Sequence, residues 1–302
     1  MTWRKLGRVF VPDGSLAWAR EYASFPTAED LGDGRVRVYF TSLDERRDGR
    51  SGWIDVDAGD PLRIAGASPQ PVLDIGALGE FDDCGANVFG FAAAGARKFL
   101  YYQGWQRAEK VPYLIFSGVA VSDDGGTTFR KTARVPALDR TAAEPYLRGA
   151  PYVLRDGGRF RMWYVSGNGW SLRGGVPFYH VVVRTLASDD GLRWSGESSV
   201  CLEPEGDEYA VGRPCVVRDA DRYRMWYSVR SFTQPYRIGY AESPDGLSWT
   251  RRDDAAGIER SESGWDSEMI CYPYVVDAAP HRYLFYNGNR HGSTGFGVAR
   301  WE

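Results

Sequence analysis

A strand-like run that alternates basic or polar residues with large apolar ones, and closes on aromatics, recurs five times in this chain. It reads Arg35-Val36-Arg37-Val38-Tyr39-Phe40, then Lys98-Phe99-Leu100-Tyr101-Tyr102, then Arg159-Phe160-Arg161-Met162-Trp163-Tyr164. The last copies are Arg222-Tyr223-Arg224-Met225-Trp226-Tyr227 and Arg282-Tyr283-Leu284-Phe285-Tyr286. The closing aromatics stand at positions 40, 102, 164, 227 and 286, so successive copies lie 62, 62, 63 and 59 residues apart. Alternation with a period of two is the signature of a strand. Self-similarity at a fixed period marks a repeat architecture, in which each unit buries its apolar face against its neighbours.

Each copy follows a shorter apolar run, such as Gly149-Ala150-Pro151-Tyr152-Val153-Leu154, and turn residues such as Arg155-Asp156-Gly157-Gly158 separate the two. This is strand, turn, strand. Proline is tolerated at the start of the first strand, where no ladder donor is needed. In the middle units a third signal follows. Ser122-Asp123-Asp124-Gly125-Gly126-Thr127-Thr128-Phe129 reads as an Asp-box, and Ser188 to Trp194 and Ser243 to Trp249 are versions one residue shorter. Their Asp-Gly pairs predict tight turns into a fourth strand, a structural role. Four strands in about 60 residues is a propeller blade. The expected fold is therefore all-β: one five-bladed β-propeller of four antiparallel strands per blade, spanning residues 1–302 as a single domain. The last unit stops after a third strand ending at Trp301, while Trp3 to Phe10 reads as a fourth strand. The N-terminal strand is thus expected to close the last blade and remove an exposed edge.

The formal net charge is −3 with both signs interspersed, which lacks the basic footprint of nucleic-acid binding. The four cysteines have no paired spacing and no histidine cluster near them, so neither a disulfide framework nor a metal site is expected. No dinucleotide or phosphate-loop glycine pattern follows a strand, so no cofactor is predicted. No apolar run has membrane-spanning length and the start lacks a signal-peptide pattern, which predicts a cytoplasmic protein with no membrane partner.

In a propeller the first strands line the central channel, so residues just before them converge at one mouth. Counting back five from the proline, or from Asn87 in its place, reaches Glu21, Asp82 and Glu268, with Asp83 beside Asp82. The third and fourth units place Tyr146 and Tyr209 there, with Glu144 and Glu208 nearby and Arg148 and Arg213 on the approach. Glycoside cleavage needs such carboxyls: one donates a proton to the leaving oxygen, and a second activates water or attacks. Asp82 or Asp83 and Glu268 are the expected acid and base. Glu21 and Glu208 are expected to tune them or hold hydroxyls, and Arg148 and Arg213 to bind an anionic part of the ligand. Arg230 and Trp105 occupy analogous positions beyond the aromatic strands, and His291 follows the fifth; all three are expected at the same mouth.

The five units ending in Met-Trp-Tyr-like strands and the Ser-x-Asp-Gly-x-x-Trp turns resemble the five-bladed superfamily that contains glycoside hydrolase families 43, 32, 68 and 130. The resemblance covers essentially the whole chain. It implies hydrolysis of glycosides, phosphorolysis or glycosyl transfer. The chain departs from family 43 at two positions. Phe25 stands before the first proline where that family carries an Asp, and Arg148-Gly149-Ala150-Pro151 replaces a Glu-Gly-Pro-like segment. The family's catalytic residues are therefore not carried over.

The sequence thus predicts a carbohydrate-active enzyme, glycoside hydrolase-like, working on a small-molecule or oligosaccharide ligand at the funnel. The alternative is a non-catalytic sugar-binding or scaffold propeller.

Overall fold

The computed structural model describes residues 2–302. After β1 (Trp3–Phe10) the strands come in consecutive groups. The first holds β2 (Glu21–Asp30), β3 (Arg35–Leu43), β4 (Gly49–Asp57) and β5 (Ile64–Ala67). The second holds β6 (Gly85–Ala94), β7 (Arg97–Arg107), β8 (Tyr113–Ser122) and β9 (Arg130–Lys131). The third holds β10 (Arg148–Asp156), β11 (Arg159–Arg173), β12 (Val176–Ser188) and β13 (Ser199–Leu202). The fourth holds β14 (Glu208–Arg218), β15 (Tyr223–Ser231), β16 (Arg237–Ser243) and β17 (Thr250–Arg251). The chain ends with β18 (Cys271–Ala278), β19 (His281–Asn287) and β20 (Phe296–Trp301).

Neighbours within each group pair antiparallel as a meander. Between groups the ladder continues only through single parallel pairs, Gly49 with Gly85 and Val181 with Ala210. β1 pairs with β20, from Trp3 opposite Trp301 to Phe10 opposite Phe296, so both chain ends share one four-stranded sheet. The first strands touch in a closed cycle: β2 meets β6, then β10, β14 and β18 follow, and β18 returns to β2. That cycle surrounds a central channel.

The recurring aromatics hold adjacent groups together. Tyr101 Oη donates to Gly191 O at 2.9 Å, Trp163 Nε1 to Gly246 O at 3.1 Å, and Tyr283 Oη to Ala58 O at 2.7 Å. In each case a buried ring from one group bonds the turn or strand end of the next, which satisfies its polar atom while its body fills the interface. The turn aspartates are consumed locally. Asp190 Oδ1 accepts from the amides of Leu192 and Arg193, and Asp245 Oδ1 from those of Leu247 and Ser248, all at 2.8 Å. These bonds hold the Asp190 and Asp245 carboxyls below the usual carboxylate range, and the Ser122 and Thr128 hydroxyls do the same for Asp124. All four cysteines are free thiols, and no helix is long and apolar enough to cross a membrane.

Every first strand carries a bulge at the channel. Ser24 pairs with Thr41 and Thr27 with Tyr39, so Phe25 and Pro26 together oppose one residue of β3. The same interval recurs between Gly149 and Tyr152, Gly212 and Cys215, and Cys271 and Tyr274. A bulge bends its strand and re-aims a side chain. Phe25, Ala150, Arg213 and Tyr272 sit there with φ of 59°, 49°, 55° and 57°, in the left-handed region non-glycine residues avoid.

Candidate functional site

The bulges open onto a cavity of about 490 Å³ at one end of the channel. Its floor is built by the bulge residues Phe25, Ala150, Arg213 and Tyr272, with Asn87 and Phe89 of β6. Its wall comes from the second strands at positions one and three beyond the closing aromatic. These are Thr41 and Leu43, Gln103 and Trp105, Val165, and Ser228 and Arg230. The period of two puts both positions on the channel face. Tyrosines from the opening residues of the third strands or just before them, Tyr113, Tyr179 and Tyr236, complete the rim with Tyr22 and His291. Six of the eight non-glycine residues with positive φ among the described residues line this cavity: Tyr22, Phe25, Ala150, Arg213, Tyr272 and His291. Such strain, about 1–3 kcal/mol per residue, persists where the surrounding structure enforces it, and it gathers at functional sites.

Among the described residues that line the cavity none is an aspartate or a glutamate. The two arginines are held differently. Arg213 is 3% exposed, and its guanidinium donates to Phe89 O at 3.0 Å, Pro26 O at 2.9 Å and Thr27 Oγ1 at 2.7 Å. It lies 4.2 Å from the Phe89 ring centre. Burial pushes it down to about 10, so it stays charged at neutral pH with backbone oxygens in place of a counter-ion. Arg230 lies 4.5 Å from the Tyr236 ring centre and 5.3 Å from that of Tyr179, makes no ion pair with the described residues, and has the Tyr236 hydroxyl within hydrogen-bonding reach. His291 sits against Tyr236, ring centres 5.7 Å apart, and burial together with the Arg230 charge pushes it down to about 4, so it is neutral at pH 7. Asn87 is 4% exposed, and its Oδ1 has no partner among the described residues. The Trp105 indole lies against the backbone at Gly85, where a Cβ would come within 1.8 Å of its Nε1.

Of the residues expected at the mouth, Arg213, Arg230, His291 and Trp105 come together here. The expected acids do not. Asp82 is 1% exposed, paired with Lys131 Nζ at 2.6 Å and set against Gly104 of β7, away from the channel. Asp83 accepts from the Gly79 amide in its own loop. The Glu268 side chain is exposed, and only its backbone is held, by Asn289 and Arg260. Glu21 pairs with Arg47 on the surface at 2.9 Å. Glu208 is locked between Arg237 and Arg251 at 2.5 and 2.8 Å. Arg148 is turned away and paired with buried Glu144 at 3.1 Å.

For Asp82 the cause is register. Asn87 pairs with Gln103 as Ser24 pairs with Thr41 and Gly149 with Val165. Asn87 is therefore equivalent to Ser24, and Phe89 stands where the other units have proline. Five residues before Phe89 lies Cys84, so the position equivalent to Glu21 and Glu268 is Cys84, two places beyond Asp82. The acid pair Asp82 or Asp83 with Glu268 is corrected on this geometry: its members are not brought together at the cavity.

No protein-family model matches the chain. Among solved structures, a glycosyl hydrolase from Bacteroides ovatus superposes with a TM-score of 0.72 at 15% identity, over 99% of this chain and 93% of that one. A thermostable family-43 glycoside hydrolase gives 0.69 at 16% identity, over 93% and 90%. A structure from glycoside hydrolase family 130, a family of mannoside phosphorylases containing hydrolases that target β-1,2 mannosidic linkages in Candida mannan, gives 0.70 at 15% identity, over 99% and 93%. At these identities the likeness is one of fold: the chain has the architecture of the propeller glycosidases. In sequence, the proteins MT1551 and Rv1502 of Mycobacterium tuberculosis are 40% and 39% identical over 303 residues, each covering 100% of both chains. The chain therefore belongs to the family of MT1551 and Rv1502, carried on a propeller-glycosidase fold.

Proposed function

We propose that this chain is a five-bladed propeller that recognises a carbohydrate in its funnel, and that the funnel binds its ligand without a carboxylate acid–base pair. The blade count rests on five equivalent pairs, Ser24–Thr41, Asn87–Gln103, Gly149–Val165, Gly212–Ser228 and Cys271–Asn287, and on the closed cycle of first strands. The observation that carries the functional reading is the cavity's composition. Flat aromatic faces stand beside convergent amide and hydroxyl groups, which is how a protein grips a sugar: rings cover its C–H faces and polar groups meet its hydroxyls. Both canonical glycosidase mechanisms need two carboxyls flanking the scissile bond, and the lining contains neither.

The propeller-glycosidase fold favours a second reading, turnover of a glycoside. Proton NMR of the protein with a panel of glycosides and sugar nucleotides, with and without phosphate, separates the two. Line broadening of one sugar without new anomeric signals is the expected result. New anomeric signals would replace the binding reading with an enzymatic one, and their dependence on phosphate would divide phosphorolysis from hydrolysis.

A further inference from the structure

The geometry points to an anionic sugar, one carrying a carboxylate or phosphate group, whose charge is met by Arg230. This inference rests on the carbohydrate reading and adds to it the class of ligand. The two guanidinium groups of the cavity have no carboxylate partner, and no acid lines the cavity to offset them. Arg213 is spent, because its nitrogens Nη1 and Nη2 already donate to Phe89 O, Pro26 O and Thr27 Oγ1. Arg230 is not spent. It makes no ion pair and donates to no backbone oxygen of the described residues; the polar group within its reach is the neutral Tyr236 hydroxyl, and its Nε is buried without a partner among those residues. The faces of Tyr179 and Tyr236 hold the guanidinium in place by cation–π contact, and no carboxylate meets its charge. A planar fork fixed in this way matches the two oxygens of a carboxylate or phosphate.

The neighbours fit the same ligand. His291 is held neutral, so it can offer one donor or one acceptor without adding a second charge. Asn87, 4% exposed with an unpartnered Oδ1 in the cavity lining, is an acceptor waiting for a hydroxyl donor. Sugar hydroxyls supply that donor. The lining therefore asks for negative charge at Arg230 and for hydroxyls at Asn87 in one molecule.

The test titrates the full chain, in an amine buffer free of competing oxyanions, with matched probes. Methyl glycosides, uronates and sugar 1-phosphates of the gluco, galacto and manno series are compared with inorganic phosphate alone. Within the series that binds, the charged members are expected to bind at least tenfold tighter than the neutral one, with an affinity that falls as NaCl rises from 50 to 500 mM. Arg230→Gln is expected to reduce the charged-to-neutral ratio to within twofold, and Arg230→Lys to retain part of it. The wild-type ratio and its salt dependence need no variant, so a poorly folding substitution leaves the test intact. Uronates and 1-phosphates separate the two sources of charge. Equal binding of charged and neutral sugars would overturn the anionic assignment and leave the carbohydrate reading standing. Binding of inorganic phosphate with no sugar preference would do the reverse, and no binding by any probe would overturn both.

Discussion

Truncating Trp3 to alanine measures how much the joining of the two chain ends contributes. Trp3 is 4% exposed, with its ring 4.7 Å from that of Trp301 and 5.5 Å from that of Trp226, both edge-on. A buried aromatic removes roughly 150–250 Å² from water, worth about 4–6 kcal/mol at about 25 cal/mol per Å². That is an upper figure, because the unfolded chain already hides part of this surface. The indole Nε1 is buried with no partner among the described residues, so deleting it returns about 1 kcal/mol. The backbone bond from the Trp3 amide to Gly257 O survives in alanine. About 3 kcal/mol of destabilisation is left, the low end of the range for Trp→Ala in cores. The assay is urea denaturation followed by far-UV circular dichroism, with Leu78→Ala as control. Leu78 is 99% exposed and its truncation is expected within about 0.5 kcal/mol of wild type. A Trp3→Ala midpoint indistinguishable from the control would refute the claim that β1 is an integral strand of the last sheet, and removal of residues 2–12 would then be harmless too.

Three further outcomes are expected. Arg213→Lys destabilises by about 2–4 kcal/mol in the same denaturation assay, since one ammonium cannot span the three oxygens that the guanidinium ties together and is harder to dehydrate; a change under 1 kcal/mol would show that the tie is dispensable. For His291, whose folded value of about 4 lies below the ordinary 6.5, stability is unaffected above pH 6.5 and falls as pH drops from there toward 4. Across that window the unfolded chain takes up a proton that the folded one refuses, a loss of at most roughly 3 kcal/mol. His291→Gln flattens that part of the urea-midpoint profile, and an unchanged profile would contradict the buried neutral ring. Glu268→Gln leaves ligand binding by calorimetry and any turnover within twofold of wild type, while Asp82→Asn weakens the buried pair with Lys131 and lowers thermal stability without changing affinity; loss of turnover in both with stability intact would restore them as acid and base.

Much of the architecture was legible because it is carried by local, repeated signals. The aromatic strand and the Ser-x-Asp-Gly turn each state their role within a few residues, and both recur. The channel wall was legible by the same route. Trp105 and Arg230 both lie three residues beyond a closing aromatic, so recognising one position named the other. Extending that rule to the position one residue beyond the aromatic would also have found Thr41, Gln103 and Ser228. Tyr113, Tyr179 and Tyr236 carry no such signal, because they stand respectively at, three residues after and one residue before the starts of their third strands. The acids failed for a different reason. A single-sequence alignment anchors on residue type, and β6 lacks the proline that marks the other first strands. Asn87 resembles a turn residue in that place, whereas its actual equivalent is Ser24. The ladder partners decide the matter, and they are not encoded near Asn87 itself.

That failure and the site's chemistry have one origin. A bulge adds a residue without changing the aromatic strand beside it, so the repeat survives while the channel-facing side chain is free to vary. The five first strands present Phe25, Asn87 with Phe89, Ala150, Arg213 and Tyr272 to the cavity, a set with no shared chemistry on a shared frame. The frame supplies what the strained positions need. Asn287 accepts from the Phe25 amide at 2.8 Å, Gln103 from the Ala150 amide at 3.0 Å, and Ser228 from the Tyr272 amide at 2.8 Å. Each acceptor lies one residue beyond a closing aromatic, and each holds the bulge of the following unit, or of the first unit in the case of Asn287. A left-handed residue is thus held by the neighbouring group's second strand, not by its own. Its side chain can change from Phe25 to Ala150 to Tyr272 without altering that bond; Arg213 is the exception, because Val165 stands where its acceptor would be. The chemistry of the funnel is consequently set by which residues occupy the bulges, and here they contribute aromatic faces and a guanidinium but no carboxyl.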